Sequence, residues 1–88
     1  MNQRTNAGYT IIATITLPDC EFVLGEKQSK TSEPQYVTWY CPQATHYYFG
    51  NYMSDKNVAL LDLYERAIIE LKHHKNELMQ KLKGAKEE

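Results

Sequence analysis

The 88 residues predict an α+β fold: a four-stranded antiparallel meander with one long C-terminal helix packed on one face. Three observations carry this. Tyr9 to Leu17 alternates apolar and polar positions, the period of a half-buried strand. Seven of the ten aromatic residues crowd between Tyr36 and Tyr52, in two short runs rich in strand-forming types. After Ser54 the apolar spacing changes to alternating steps of three and four, which is helical. One domain is expected over 1–88, with the sheet at about 9–53, the helix at about 55–83, and frayed ends at 1–7 and 84–88.

The first strand places Tyr9, Ile11, Ala13, Ile15 and Leu17 on one face, with Thr10, Thr14 and Thr16 mainly on the other. Pro18-Asp19 supplies turn chemistry, and Cys20 to Lys27 reads as a second strand with Cys20, Phe22 and Leu24 in phase. Polar residues from Gln28 to Pro34 make a loop. In the third strand, Tyr36 to Cys41, Val37, Trp39 and Cys41 share one face; Tyr36, Thr38 and Tyr40 share the other. Pro42 to Thr45 is a short hairpin connection to a fourth strand, His46 to Tyr52. Gly50 inside that strand marks a bulge or a close approach of backbone.

Ser54 is the expected N-cap, Asp55 complements the helix dipole, and Met53 with Val58 suits a hydrophobic staple. Leu61, Tyr64, Ile68, Leu71, Leu78 and Leu82 then form a stripe broken by Lys75, and Gly84 reads as a stop. A helix of that length spans roughly 43 Å, whereas a strand of seven or eight residues covers about 25 Å. The helix must overhang the sheet or break near His73-His74. The expected core face of the sheet holds Ile11, Ile15, Phe22, Leu24, Val37, Trp39, Tyr47 and Phe49. Against it should pack Val58, Leu61, Tyr64 or Ala67, Ile68 and Leu71.

A net charge of −1 argues against a generic polyanion binder and equally against an acidic mimic of DNA. No apolar run reaches the roughly 18 residues of a membrane span, and residues 1–6 lack the core of a secretory signal, so a cytoplasmic location is expected. There Cys20 and Cys41 stay reduced and behave as small hydrophobes. No cofactor or metal is expected, because no metal-ligand spacing joins the cysteines with His46. His73 and His74 project about 100° apart on a helix and suit a solvated face. The sequence holds no phosphate-cradling glycine loop and no nucleophile or zincin motif, so catalysis is not expected.

Two strands have only two faces, so some of the aromatics must face outward. Tyr36, Tyr40, Tyr48 and Tyr52 are the expected recognition surface, on the side of the sheet away from the helix. Three readings remain open for them. Their rings can be covered by threonines and the loop, they can meet a protein, or they can stack on unpaired bases with Arg4, Lys27 and Lys30 near phosphates. The distal helix adds Leu78 and Leu82 as an adhesive patch among Lys72, Lys75 and Lys81, fit for a partner or for a homodimer.

The strings Phe22-Val23-Leu24-Gly25, Tyr36-Val37-Thr38-Trp39 and Tyr48-Phe49-Gly50-Asn51-Tyr52 resemble a group of small, largely uncharacterised accessory proteins. These are carried by conjugative elements and plasmids of Gram-positive bacteria. The likeness covers about residues 9 to 70 and brings no catalytic residues with it. It implies mobile-element cargo, a genre that includes stoichiometric inhibitors of Cas9-type nucleases (anti-CRISPR proteins). The partner implied is a protein or ribonucleoprotein, such as Cas9 with guide RNA. The alternatives are a single-strand nucleic-acid-binding factor of element transfer and a homodimeric structural protein.

Overall fold

The computed structural model describes residues 3–27, 34–43 and 45–86. It is an antiparallel sheet followed by one long helix, with five strands rather than four. The strands are β1 (Thr5–Asn6), β2 (Tyr9–Thr16), β3 (Glu21–Glu26), β4 (Tyr36–Gln43) and β5 (His46–Met53), hydrogen-bonded in that order. The added strand β1 turns back on β2 through Ala7-Gly8, both at positive φ, with Thr5 opposite Thr10 and Asn6 opposite Tyr9. Residues 5 and 6 are therefore paired, not frayed. Residues 28–33 of the loop expected from Gln28 to Pro34, Lys30 among them, and Ala44 lie outside the described residues.

The sheet carries apolar clusters on both faces. On one side Leu17, Cys20, Phe22 and Leu24 pack with Ala59, Leu63 and Ala67 of the helix α1 (Lys56–Lys86). On the other, Tyr9, Val23, Val37, Trp39 and Cys41 form a second cluster, with Ile11 and Tyr47 against it. The expected single core face is thus divided. Ile15, Phe22 and Leu24 belong to the helix side; Ile11, Val37, Trp39 and Tyr47 belong to the far side.

A bulge in β2 explains half of this division. Ile11 lies opposite Gly25 but Ala13 lies opposite Leu24, so Ile12 is an extra residue. Each added residue shifts the two-residue period by one step. Tyr9 and Ile11 consequently serve the far cluster, whereas Ala13 and Ile15 serve the helix side. The alternation read from the sequence is present, but it changes faces midway.

The second correction concerns α1. Val58, Leu61, Tyr64 or Ala67, Ile68 and Leu71 were expected beneath the sheet; Ala67 is buried there, but the other five are exposed, Leu61 at 61 %. The buried positions are Ala59, Leu63 and Ala67. They form a row at four-residue steps, and small side chains at both ends let the helix come close to β3 and β4. The larger stripe faces outward.

The helix cap also moves by one residue. Asp55 Oδ1 accepts hydrogen bonds from the Asn57 and Val58 amides at 2.8 and 3.1 Å, so Asp55 is the N-cap in place of Ser54. Met53 packs into the helix-side cluster while Val58 is exposed, which removes the expected staple. At the far end α1 runs through Gly84 to Lys86. It neither stops there nor breaks at His73-His74.

The hairpin joining β4 and β5 is tighter than expected, because β4 continues through Pro42 to Gln43. The register slips between Tyr40 and Gln43, the kind of irregularity where a residue lacking an amide proton is tolerated.

Candidate interaction site: the groove between β5 and the helix

The far-side cluster explains Gly25 and Gly50. A Cβ on Gly25 would meet Tyr9 Cβ at 2.9 Å and the Trp39 ring at 3.2 Å; one on Gly50 would meet Trp39 Nε1 at 2.8 Å. Both glycines therefore seat the Trp39 indole, which Tyr9 and Tyr47 also meet edge-on at 5.7 and 5.4 Å. The three strings converge on one packed tryptophan.

Opposite Trp39, β5 carries an extra residue: Thr38 pairs with Asn51 and Tyr40 with Tyr48, leaving Phe49-Gly50 as the bulge. Phe49 adopts a φ of +55°, where non-glycine residues are uncommon and a bulky side chain costs on the order of 1–2 kcal/mol. Expected in the core, Phe49 is instead 75 % exposed. Its ring lies 6.2 Å from Tyr40 and 6.3 Å from Tyr48.

Between this bulge and α1 opens a cavity of about 360 Å³ lined by Phe22, Tyr40, Phe49, Arg66, Ile69 and Glu70. Its aromatic wall is continuous, since Phe22 and Tyr40 meet at 5.5 Å. The Arg66 guanidinium lies 5.6 Å from the Phe22 ring centre. It also donates to the Thr38 carbonyl at 3.0 Å and to Thr38 Oγ1 at 2.9 Å. Burial lowers its pKa from the usual value, partly offset by Asp62. An apolar floor with one guanidinium and one carboxylate at its edge suits an amphipathic peptide segment.

Behind the groove, a polar cluster locks the helix to the sheet. Thr38 is fully buried; its hydroxyl donates to Asp62, whose Oδ2 also accepts from Asn51 Nδ2 at 3.1 Å. These residues fix the angle at which Arg66 and Ile69 approach Phe49.

The four expected recognition tyrosines separate. Tyr36 and Tyr40 lie on the helix side, half-buried against its cluster. Their hydroxyl pKa values are raised, chiefly by burial. Tyr48 and Tyr52 are exposed, at 46 % and 54 %. Tyr52 meets Tyr9 of the far cluster at 6.1 Å, whereas Tyr48 stands opposite Tyr40. The expected continuous tyrosine face away from the helix is therefore not formed. The register of β4 against β3 decides this, pairing Phe22 with Tyr40 and Leu24 with Thr38 on the helix side.

Arg4 pairs with Glu21 and donates to Tyr47 Oη at 2.6 Å, and Lys27 Nζ lies 5.2 Å from the Tyr9 ring centre. Cys20 and Cys41 are buried free thiols whose pKa values burial pushes up. Along the distal helix Lys72, Lys75, Leu78, Lys81 and Leu82 are all exposed. Sequence reasoning placed Phe49 in the core and singled out neither Arg66 nor Ile69; the signal that could have found the first is Gly50, its neighbour in the bulge. No helix of the described residues is long and apolar enough to cross a membrane. The chain matches no family model, no curated protein and no solved structure.

Proposed function

We propose that the protein is a non-enzymatic product of a mobile element that binds and inhibits a host defence complex. The target class that its strand motifs suggest is a Cas9-type nuclease or its guide-RNA assembly. The supporting observation is Phe49, a large apolar ring carried at an unfavourable φ, 75 % exposed, at the mouth of an aromatic groove. Strain at a non-glycine residue persists where the surroundings over-determine it, and such positions gather at sites of function. The target class comes from the resemblance, and the contact surface comes from the groove.

The mechanism is occlusion. A peptide segment of the target places an apolar side chain against Phe22, Tyr40 and Phe49, with Arg66 and Glu70 fixing its polar flanks. Pull-down with Cas9, with and without guide RNA, tests this beside a cleavage assay. Capture and inhibition lost in Phe49→Ala is the expected result. Unimpaired cleavage by several Cas9 orthologues at large molar excess would discard the target class.

The reading as a single-strand nucleic-acid binder now draws on Tyr48 and Tyr52 with His46, whose ring stacks on Tyr48 at 6.3 Å and 19°. A titration at low salt that Tyr48→Ala leaves unchanged removes it.

A further inference from the structure

We propose that the outer face of α1 is the interface of an antiparallel homodimer. This does not depend on the identity of the partner proposed above.

Leu61, Tyr64, Ile68, Leu71, Lys75, Leu78 and Leu82 follow one another at steps of three and four without interruption. That is a 3.5-residue period sustained over three heptads, the spacing of a coiled-coil seam. All seven side chains are exposed. The sheet packs on the row of Ala59, Leu63 and Ala67, about a third of a turn round the helix from the centre of the seam, so the seam is a separate, neighbouring stripe.

The distal part of the helix strengthens the case. His74, 3.7 Å from Asp19, makes the outermost link to the sheet, and every residue from Lys75 to Gly84 is exposed. These last turns extend a helix already nucleated on the sheet but bury no apolar surface of their own, and lateral packing on a second helix would supply it.

Charge and polarity select the occupant and its direction. In an antiparallel pair with Ile68 opposite the second copy's Leu71, Leu61 meets the second copy's Leu78 and Tyr64 meets its Lys75. The flanking positions then match as well: Glu65 stands beside the second copy's Lys72, and Val58 beside its Met79. Lys75 can lay its stem along the tyrosine ring and keep its ammonium in water. A parallel pair instead puts Lys75 against Lys75. One polar residue in such a seam sets register and direction, at some cost in stability.

Sedimentation velocity from low to high micromolar protein, with helicity followed by circular dichroism, reads the outcome. The expected result is a dimer that Leu71→Asp abolishes without loss of fold. Glu65→Lys should weaken self-association about tenfold, and adding Lys72→Glu to the same chain should restore it. Mixed Glu65→Cys and Lys72→Cys chains should form a disulfide-linked heterodimer under oxidation. A folded monomer at every concentration overturns the proposal. So does ready self-crosslinking of Lys75→Cys, the signature of a parallel pair, or a charge reversal that fails to restore association.

Discussion

The hydroxyl of Thr38, fully buried in β4, donates a hydrogen bond to the carboxylate of Asp62 on the helix. Arg66 donates to the same hydroxyl, so the threonine bridges an acid and a base one helical turn apart. Thr38→Val should leave both charged groups short of a partner. The expected loss is about 1–3 kcal/mol of unfolding free energy, measured in urea. A double-mutant cycle with Asp62→Ala should show strong coupling, because the second change costs less once the first is made.

Leu63 and Leu61 lie two residues apart but on opposite sides of the helix, 1 % and 61 % exposed. Leu63→Ala should cost about 2–5 kcal/mol by opening a cavity. Leu61→Ala should change the stability of a dilute monomer by less than about 0.5 kcal/mol. Equal costs would mean that the helix packs on its larger stripe.

The Trp39 seat offers an optical readout, since this is the chain's single tryptophan. Gly50→Ala pushes a methyl against the indole at 2.8 Å. A loss of about 1–3 kcal/mol is expected, with a changed emission maximum.

Phe49 separates stability from binding. Asparagine tolerates the left-handed conformation, so Phe49→Asn should leave stability unchanged or raise it by up to about 1 kcal/mol. The same variant should lose the proposed partner. A variant that is both destabilised and binding-competent would contradict the role given to the exposed ring.

Alkaline pH should weaken the fold. Burial raises the native pKa of Cys20 and of Cys41 above the ordinary 9.0. The native state therefore holds these protons more tightly than the unfolded chain. Stability is fully present below pH about 9 and declines as pH rises through the native values. Tyr36 and Tyr40 shift in the same direction, which extends the decline upward. Urea melts at increasing pH should show it. Thiol reagents should label the native protein slowly and the unfolded chain fast.

The order of the four longer strands and the helix was legible because each runs for six residues or more, whereas the two residues of β1 are too short to show a period. The faces were less so. Ile12 carries no mark that distinguishes a bulged isoleucine from a paired one, so the phase change in β2 could be seen only in its pairing with β3. The helix was misread because its larger apolar stripe was expected to pack inward: Ala67 was one of the expected contacts, but Ala59 and Leu63 were not, and closeness of approach selected them over Leu61 and Ile68. At the candidate site Gly50 announced an irregular strand, but not that Phe49 would be turned out by it. Nothing in the sequence singles out Arg66 and Asp62; their partner Thr38 lies on another element, 28 and 24 residues away in the chain.

The extra residue at Ile12 has a thermodynamic corollary. One continuous strand contributes its first half to the hydrophobic nucleus around Trp39 and its second half to the one beneath the helix. Neither nucleus can dissolve without withdrawing backbone from the other, so tryptophan emission and helical ellipticity should vanish together in a single transition.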